Sequence, residues 1–213
     1  MALAWADISS GDLAVTATGA DRLAADILRL APSEIILADS LLADPEIDLA
    51  VSRAGVAVTP LPSSRFDSLS SERRLKDVFA VGTLDAFGTF SRSEIAALGG
   101  LLEYVVMTQA GRLPHVKPPR REVMGSALLI DPATRANLEL TRTLGGEKRG
   151  SLLSVIDLAM TAQGSRLLAG RLASPLADAD AINARLDLMA HFTQGADLRD
   201  DIRGILGKLP DLE

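Results

Sequence analysis

Apolar positions in residues 1 to about 109 alternate between a period of two and a period near 3.6. Leu3 and Trp5, the turn Ile8-Ser9-Ser10-Gly11-Asp12 and the run Leu13-Ala14-Val15-Thr16 predict a strand, a hairpin turn and a second strand. Leu23, Ile27 and Leu30 fall on one helix face that Pro32 ends. Glu34 to Ala38, with two isoleucines, predicts a buried strand. Asp44-Pro45 is an N-cap followed by proline in the first turn, opening a short helix that Gly55 stops; Val56 to Val58 then predicts another strand. From Ser68 the period is helical, with Leu75, Val78 and Phe79 on one face. Ser91-Arg92-Ser93-Glu94 is a capping box, and its helix carries Ile95, Leu98, Leu102, Val105 and Gln109 along one side. Strands interleaved with helices predict a three-layer α/β domain.

The stretch Gly111 to Arg121 breaks the pattern. It has three prolines and four Lys/Arg residues, which predict an exposed, extended connector about which the two halves move. As the densest basic run it could also serve as a phosphate-contacting arm, although a solvated linker is the simpler reading. Beyond it the signals are helical. Asp131-Pro132 starts a helix through Leu140. Further faces are Leu167, Leu168 and Leu172; Ile182, Leu186 and Met189; and Leu198, Ile202, Ile205 and Leu209. The second half is expected to be all-α. Met1 leads straight into a strand and Asp211-Leu212-Glu213 carries no stop signal, so both ends read as cuts through a longer protein.

Composition narrows the function. The net charge is -6, and of 22 basic residues 18 are arginines scattered through apolar helices, so the overall balance of a free-standing nucleic-acid binder is missing. The chain has no cysteine, hence no disulfide, thiolate nucleophile or cysteine-ligated metal. No apolar run is long enough for a membrane span and the first residues do not form a signal peptide, so a cytoplasmic location is the simplest expectation.

Candidate sites are few. There is no GxxxxGK[ST] loop, and Gly145-Gly146-Glu147-Lys148-Arg149-Gly150 lies between helical segments, where it reads as a flexible turn. His115 and His191 are far apart and in no ligand motif. Asp7 closes the first strand, where nuclease sheets hold a metal-binding aspartate, but no second strand-borne acid accompanies it. Asp39, Asp44, Glu46 and Asp48 are explained by capping and solvation. No GxSxG is present. No catalytic, cofactor-binding or metal residue is therefore assigned.

Several segments carry a resemblance. Leu129-Ile130-Asp131-Pro132-Ala133-Thr134-Arg135-Ala136-Asn137-Leu138-Glu139-Leu140, Gly150-Ser151-Leu152-Leu153 with Asp157, Gly164-Ser165-Arg166-Leu167-Leu168 and Pro175-Leu176 are similar to the start of the core domain of the bacterial MutS family of mismatch-recognition proteins. Leu3 to Gly11 resembles the opening of that family's connector domain. Gly99-Gly100-Leu101-Leu102-Glu103-Tyr104, Thr108-Gln109 and Leu113-Pro114-His115 resemble its last helix and exit. The resemblance implies an RNase H-like connector over residues 1–110, a linker over 111–125 and the first helical part of the core, leading toward the lever helices, over 126–213. Arg171 stands where many members carry tryptophan.

In the family, the mismatch-reading domain precedes these parts and the clamp and ATPase, with its ATP and Mg, follow them. The implied role is to couple mismatched-DNA binding to that ATPase and to offer a surface to MutL, within a protein that forms homodimers. The fragment itself is expected to have no enzyme activity and no cofactor, and its helical half to leave apolar faces open. Two other readings stand beside this one. A free-standing RNase H-like nuclease would need a second strand-borne carboxylate; the other is an unrelated α/β-plus-α scaffold protein.

Overall fold

A computed structural model describes residues 1–109, 115–122 and 127–209. The chain divides into two compact units, Met1–Met124 and Gly125–Glu213.

In the first unit, β1 (Ala2–Asp7) and β2 (Asp12–Ala17) form an antiparallel hairpin with register from Ala2 opposite Ala17 to Asp7 opposite Asp12. The turn closes through the Gly11 amide on the Asp7 carbonyl at 2.8 Å, and Gly11 holds a φ of 72°. Helix α1 (Ala20–Leu30) buries Leu23 and Ile27 and ends at Ala31, in the left-handed region just before Pro32. Strand β3 (Glu34–Ala38), helix α2 (Pro45–Ser52) and strand β4 (Ala57–Leu61) follow, and β3 and β4 pair in parallel. Asp44 caps α2 by accepting from the Glu46 amide at 3.0 Å. The expected strand at Val56 to Val58 is displaced: β4 runs on through Pro60 to Leu61. A proline without an N–H is tolerated because β4 has one paired neighbour in its two-stranded sheet.

Helices α3 (Ser68–Phe79) and α4 (Arg92–Thr108) pack against each other, and α4 also lies on β1 and β2. The Ser91–Glu94 capping box is present in full. The last element of the unit is β5 (Arg120–Arg121), parallel to β2, with Ala14 opposite Arg120 and Val15 opposite Arg121.

The α/β character expected of this half is observed, with its strands divided between two hydrogen-bonded sheets, in the orders β1-β2-β5 and β3-β4. Each sheet has its own apolar cluster. Leu23, Ile27, Ile35, Leu37, Ile47 and Val51 join α1, β3 and α2. Leu13, Val15, Leu75, Leu98 and Leu102 join β2, α3 and α4.

The exposure expected of the connector is largely present, at His115, Lys117, Pro118, Arg120 and Arg121, but the segment is also hydrogen-bonded to the first unit. Its described part, 115–122, belongs to the first unit: the Lys117 amide donates to the Gly11 carbonyl and the Glu122 amide to the Val15 carbonyl, both at 2.8 Å. Pro119 is buried. Backbone donors that the extended reading left to water are satisfied by β2, which outweighs the low apolar content of the segment. Residues 111–114, with Arg112, lie outside the described residues.

Among its described residues the second unit is helical apart from an isolated bridge between Ala127 and Leu176. Its helices are α5 (Pro132–Leu138), α6 (Leu152–Ile156), α7 (Ala162–Ala173), α8 (Ala179–Gln194) and α9 (Ala196–Leu206). Side-chain caps from Asp131, Ser151, Thr161 and Asp178 start the first four. α5 stops two residues short of the expected Leu140, because Glu139 enters the left-handed region at φ 45°. This turns the chain so that the Glu139 and Leu140 carbonyls accept from Leu152 and Leu153. The expected apolar faces lie on α7, α8 and α9, except that Leu209 falls beyond α9. Among the described residues of this unit, Leu140 and Ser151 are the buried ones.

Candidate functional site

The carboxylates singled out in the sequence serve the backbone. Asp7 accepts from the Ser9 amide at 2.8 Å, the Ser9 hydroxyl at 2.6 Å and the Ser10 amide at 3.4 Å, so it fastens the hairpin turn. Asp39 accepts from the Ser40 amide at 2.8 Å and from the Ser63 hydroxyl at 2.7 Å, tying together the chain just beyond β3 and β4. These bonds, the Ser63 hydroxyl foremost, hold the Asp39 carboxyl below its ordinary range. Glu46 and Asp48 sit exposed in the first turn of α2, where its dipole favours them.

Glu34, on β3, accepts from the Thr59 hydroxyl and from the Tyr104 hydroxyl, at 2.5 and 2.6 Å. The two donors, Thr59 first, lower the Glu34 carboxyl, and the bond to Glu34 raises the Tyr104 phenol. The expectation that no second strand-borne acid accompanies Asp7 is corrected, since Asp12 lies on β2 opposite Asp7 and Glu34 on β3, but Asp12 faces Lys117 and Glu34 faces Thr59 and Tyr104. No group of three His, Cys, Asp or Glu able to hold a metal occurs among the described residues.

His115 and His191 are both exposed, and His191 meets Phe192 edge-on at 5.4 Å. Gly145 to Gly150 forms a hydrogen-bonded turn, in which the Thr143 amide donates to the Glu147 carbonyl and Arg142 to the Gly146 carbonyl, at 2.8 and 2.9 Å. Arg171 is exposed in the last turn of α7.

What the structure does assemble is a set of charged contacts around segment 115–122. Arg121 Nε donates to Glu94 Oε1 at 2.8 Å, and the Glu94 side chain is wholly buried. Burial pushes the Glu94 carboxyl up, but the Arg121 hydrogen bond and the Ser91 amide outweigh it and leave the group below its ordinary range. Arg29, at the end of α1, grips Glu122 with two guanidinium nitrogens, at 3.2 and 3.0 Å, and stacks 5.6 Å over the Trp5 ring. Lys117 Nζ reaches Asp12 at 3.0 Å. Two of the basic residues read as a possible phosphate arm therefore face carboxylates of their own chain. Sequence spacing signalled Glu94 as a cap; its partner across the fold had no local signal.

The described residues thus form an α/β unit whose acids fasten turns and helix ends, followed by a helical unit with side-chain caps. Residues 1–117 match the family description MutS domain II, and residues 133–213 match MutS domain III. The chain is 53% identical over 211 residues to the DNA mismatch repair protein MutS of Nitrobacter winogradskyi, covering 99% of this chain and 24% of that protein. With the proteins of the same name from Nitrobacter hamburgensis and Cereibacter sphaeroides it shares 51% and 46% identity over 212 residues, 100% of this chain and 23% and 24% of theirs. The chain belongs to the MutS family of DNA mismatch repair proteins, and it spans about a quarter of the length of these relatives.

Proposed function

We propose that this chain is the connector and first core segment of a mismatch-recognition protein, with no catalysis of its own. Its role is to couple mismatched-DNA binding to an ATPase, both residing largely in other parts of the protein, and to present a connector surface to MutL. An RNase H-like fold of the connector, action as a homodimer and a cytoplasmic setting belong to the same reading. ATP and Mg are cofactors of the ATPase part, and none is assigned to these residues.

The observation that carries the reading is the docking of 115–122. The chain leaving the first unit is paired to β2 and clasped by residues of α1 and α4, which suits an element that must pass displacement onward. Asp7, Asp39 and Glu34 are each engaged in hydrogen bonds to serine, threonine or tyrosine groups, which fits a reading without hydrolysis.

The test is binding by the purified chain. Immobilised MutL should retain it, and mismatched and matched duplexes should be bound alike. What DNA binding there is should collapse between ~50 and ~200 mM salt, as expected of few phosphate contacts. A salt-resistant preference for a mismatch, or Mg-dependent cleavage abolished by Asp7→Asn, would overturn the reading.

A further inference from the structure

Glu94 divides its two carboxylate oxygens between two parts of the fold. Oε2 accepts from the Ser91 amide at 2.7 Å and completes the capping box that starts α4, while Oε1 accepts from Arg121 at 2.8 Å. With no exposed side-chain surface, this carboxylate has no water to replace Arg121 if segment 115–122 lifts away. The segment itself is seated closely. A Cβ on Gly11 would stand 2.5 Å from the His115 carbonyl oxygen, and the buried Thr16 hydroxyl donates to the Glu122 carbonyl at 3.1 Å. Its side-chain clasps reach two helices, through Arg29 of α1 and Glu94 of α4.

We infer that the docking of segment 115–122 and the first turn of α4 are one coupled element, joined through Glu94, so that displacing the segment loosens the start of α4 and uncapping α4 loosens the segment. The coupling is reciprocal because both partners act on the same carboxylate. It goes beyond the role proposed above, and its test requires neither DNA nor MutL.

Hydrogen exchange of the full 213-residue chain, read at single amides, tests it. Arg121→Ala should speed exchange at Lys117 and Glu122 and also at Glu94 and Ile95, by about tenfold, the scale of one charge-assisted hydrogen bond. Ser91→Ala keeps the Ser91 amide on Oε2 but removes the hydroxyl that accepts from the Glu94 amide, and this uncapping of α4 should speed exchange at Glu122. Lys117→Ala removes only a solvent-exposed ion pair to Asp12, too weak to displace the segment, and should leave Glu122, Glu94 and Ile95 unchanged. All rates are taken relative to Val15 and Leu75 in the core. If Arg121→Ala loosens the segment but not α4, if Ser91→Ala leaves Glu122 protected, or if protection falls uniformly in every variant, the coupling does not exist.

Discussion

Glu94 shows how much one buried carboxylate can carry. Its ordinary value is 4.5 and its value in the fold is lower, held there by Arg121 and Ser91 against the opposing effect of burial. A lowered folded-state value means that the Arg121 contact contributes stability in full above pH 4.5 and loses it as the pH falls through the folded-state value. Protection of the Glu122 amide should therefore be flat from neutral pH down to about 5 and fall in more acidic solution, while Glu94→Gln should show weaker protection with no such acid limb. Arg121 is 44% exposed, so solvent screening brings the expected cost of Arg121→Ala to about 1–2 kcal/mol, below that of a fully buried pair. Chemical denaturation of wild type and variant measures it. At this scale the sequence was readable only locally. Ser91 and Glu94 are three apart and announce a cap, whereas Arg121 lies 27 positions from Glu94, and no spacing rule links residues that a sheet and a helix bring together.

At the level of elements, α4 approaches α3 closely at Gly99 and the turn that precedes α3 closely at Gly100. A Cβ on Gly99 would lie 2.6 Å from the Ser71 Cα and 2.2 Å from its Cβ, and one on Gly100 would lie 2.5 Å from the Phe66 ring. Both glycines and Ser71 are buried. In an exposed helix interior, replacing glycine with alanine stabilises by about 0.5–1 kcal/mol. Here Gly99→Ala should do the reverse, destabilising by about 1–3 kcal/mol because backbone atoms of α3 would have to move. Ser71→Gly should recover part of the loss in the double variant, and equilibrium denaturation of the four proteins gives the coupling. The Ser71 hydroxyl has no hydrogen-bond partner among the described residues, so Ser71→Ala alone should be neutral or stabilising.

Periodicity and caps had placed most of these helices and strands, since the N-caps at Asp44, Ser91 and Asp131 and the Leu75 and Leu98 faces depend on neighbours within a turn or two. The division of the strands between two sheets was not readable, because pairing partners are set by tertiary packing. The two-residue β5 carries no strand signal of its own: proline before it and arginines within it describe a linker until β2 supplies the partner.

For the whole molecule, the two units differ in how they hold themselves together. The first has apolar clusters with Leu75, Leu98 and Leu102 fully buried. In the second, Leu144, Val155 and Leu158 are each more than 70% exposed, and Met189 and Ile205 more than 60%. Apolar surface left in water contributes nothing to folding, and large patches of it favour association. Limited proteolysis with trypsin should accordingly begin in the second unit, at sites such as Arg142, Lys148 and Arg149 in the exposed turn that follows α5. Within 115–122 cleavage should be slow: Lys117 precedes Pro118 and its amide is bonded to Gly11, and Arg120 and Arg121 lie in β5. An exposed connector over 111–121, the expectation from sequence, would instead put Lys117, Arg120 and Arg121 among the first cuts. Mass spectrometry of early time points decides between them. Early termini at Arg120 or Arg121 would mean that the segment spends much of its time off the sheet, and with it the clasp on Glu94 would be too weak to transmit anything.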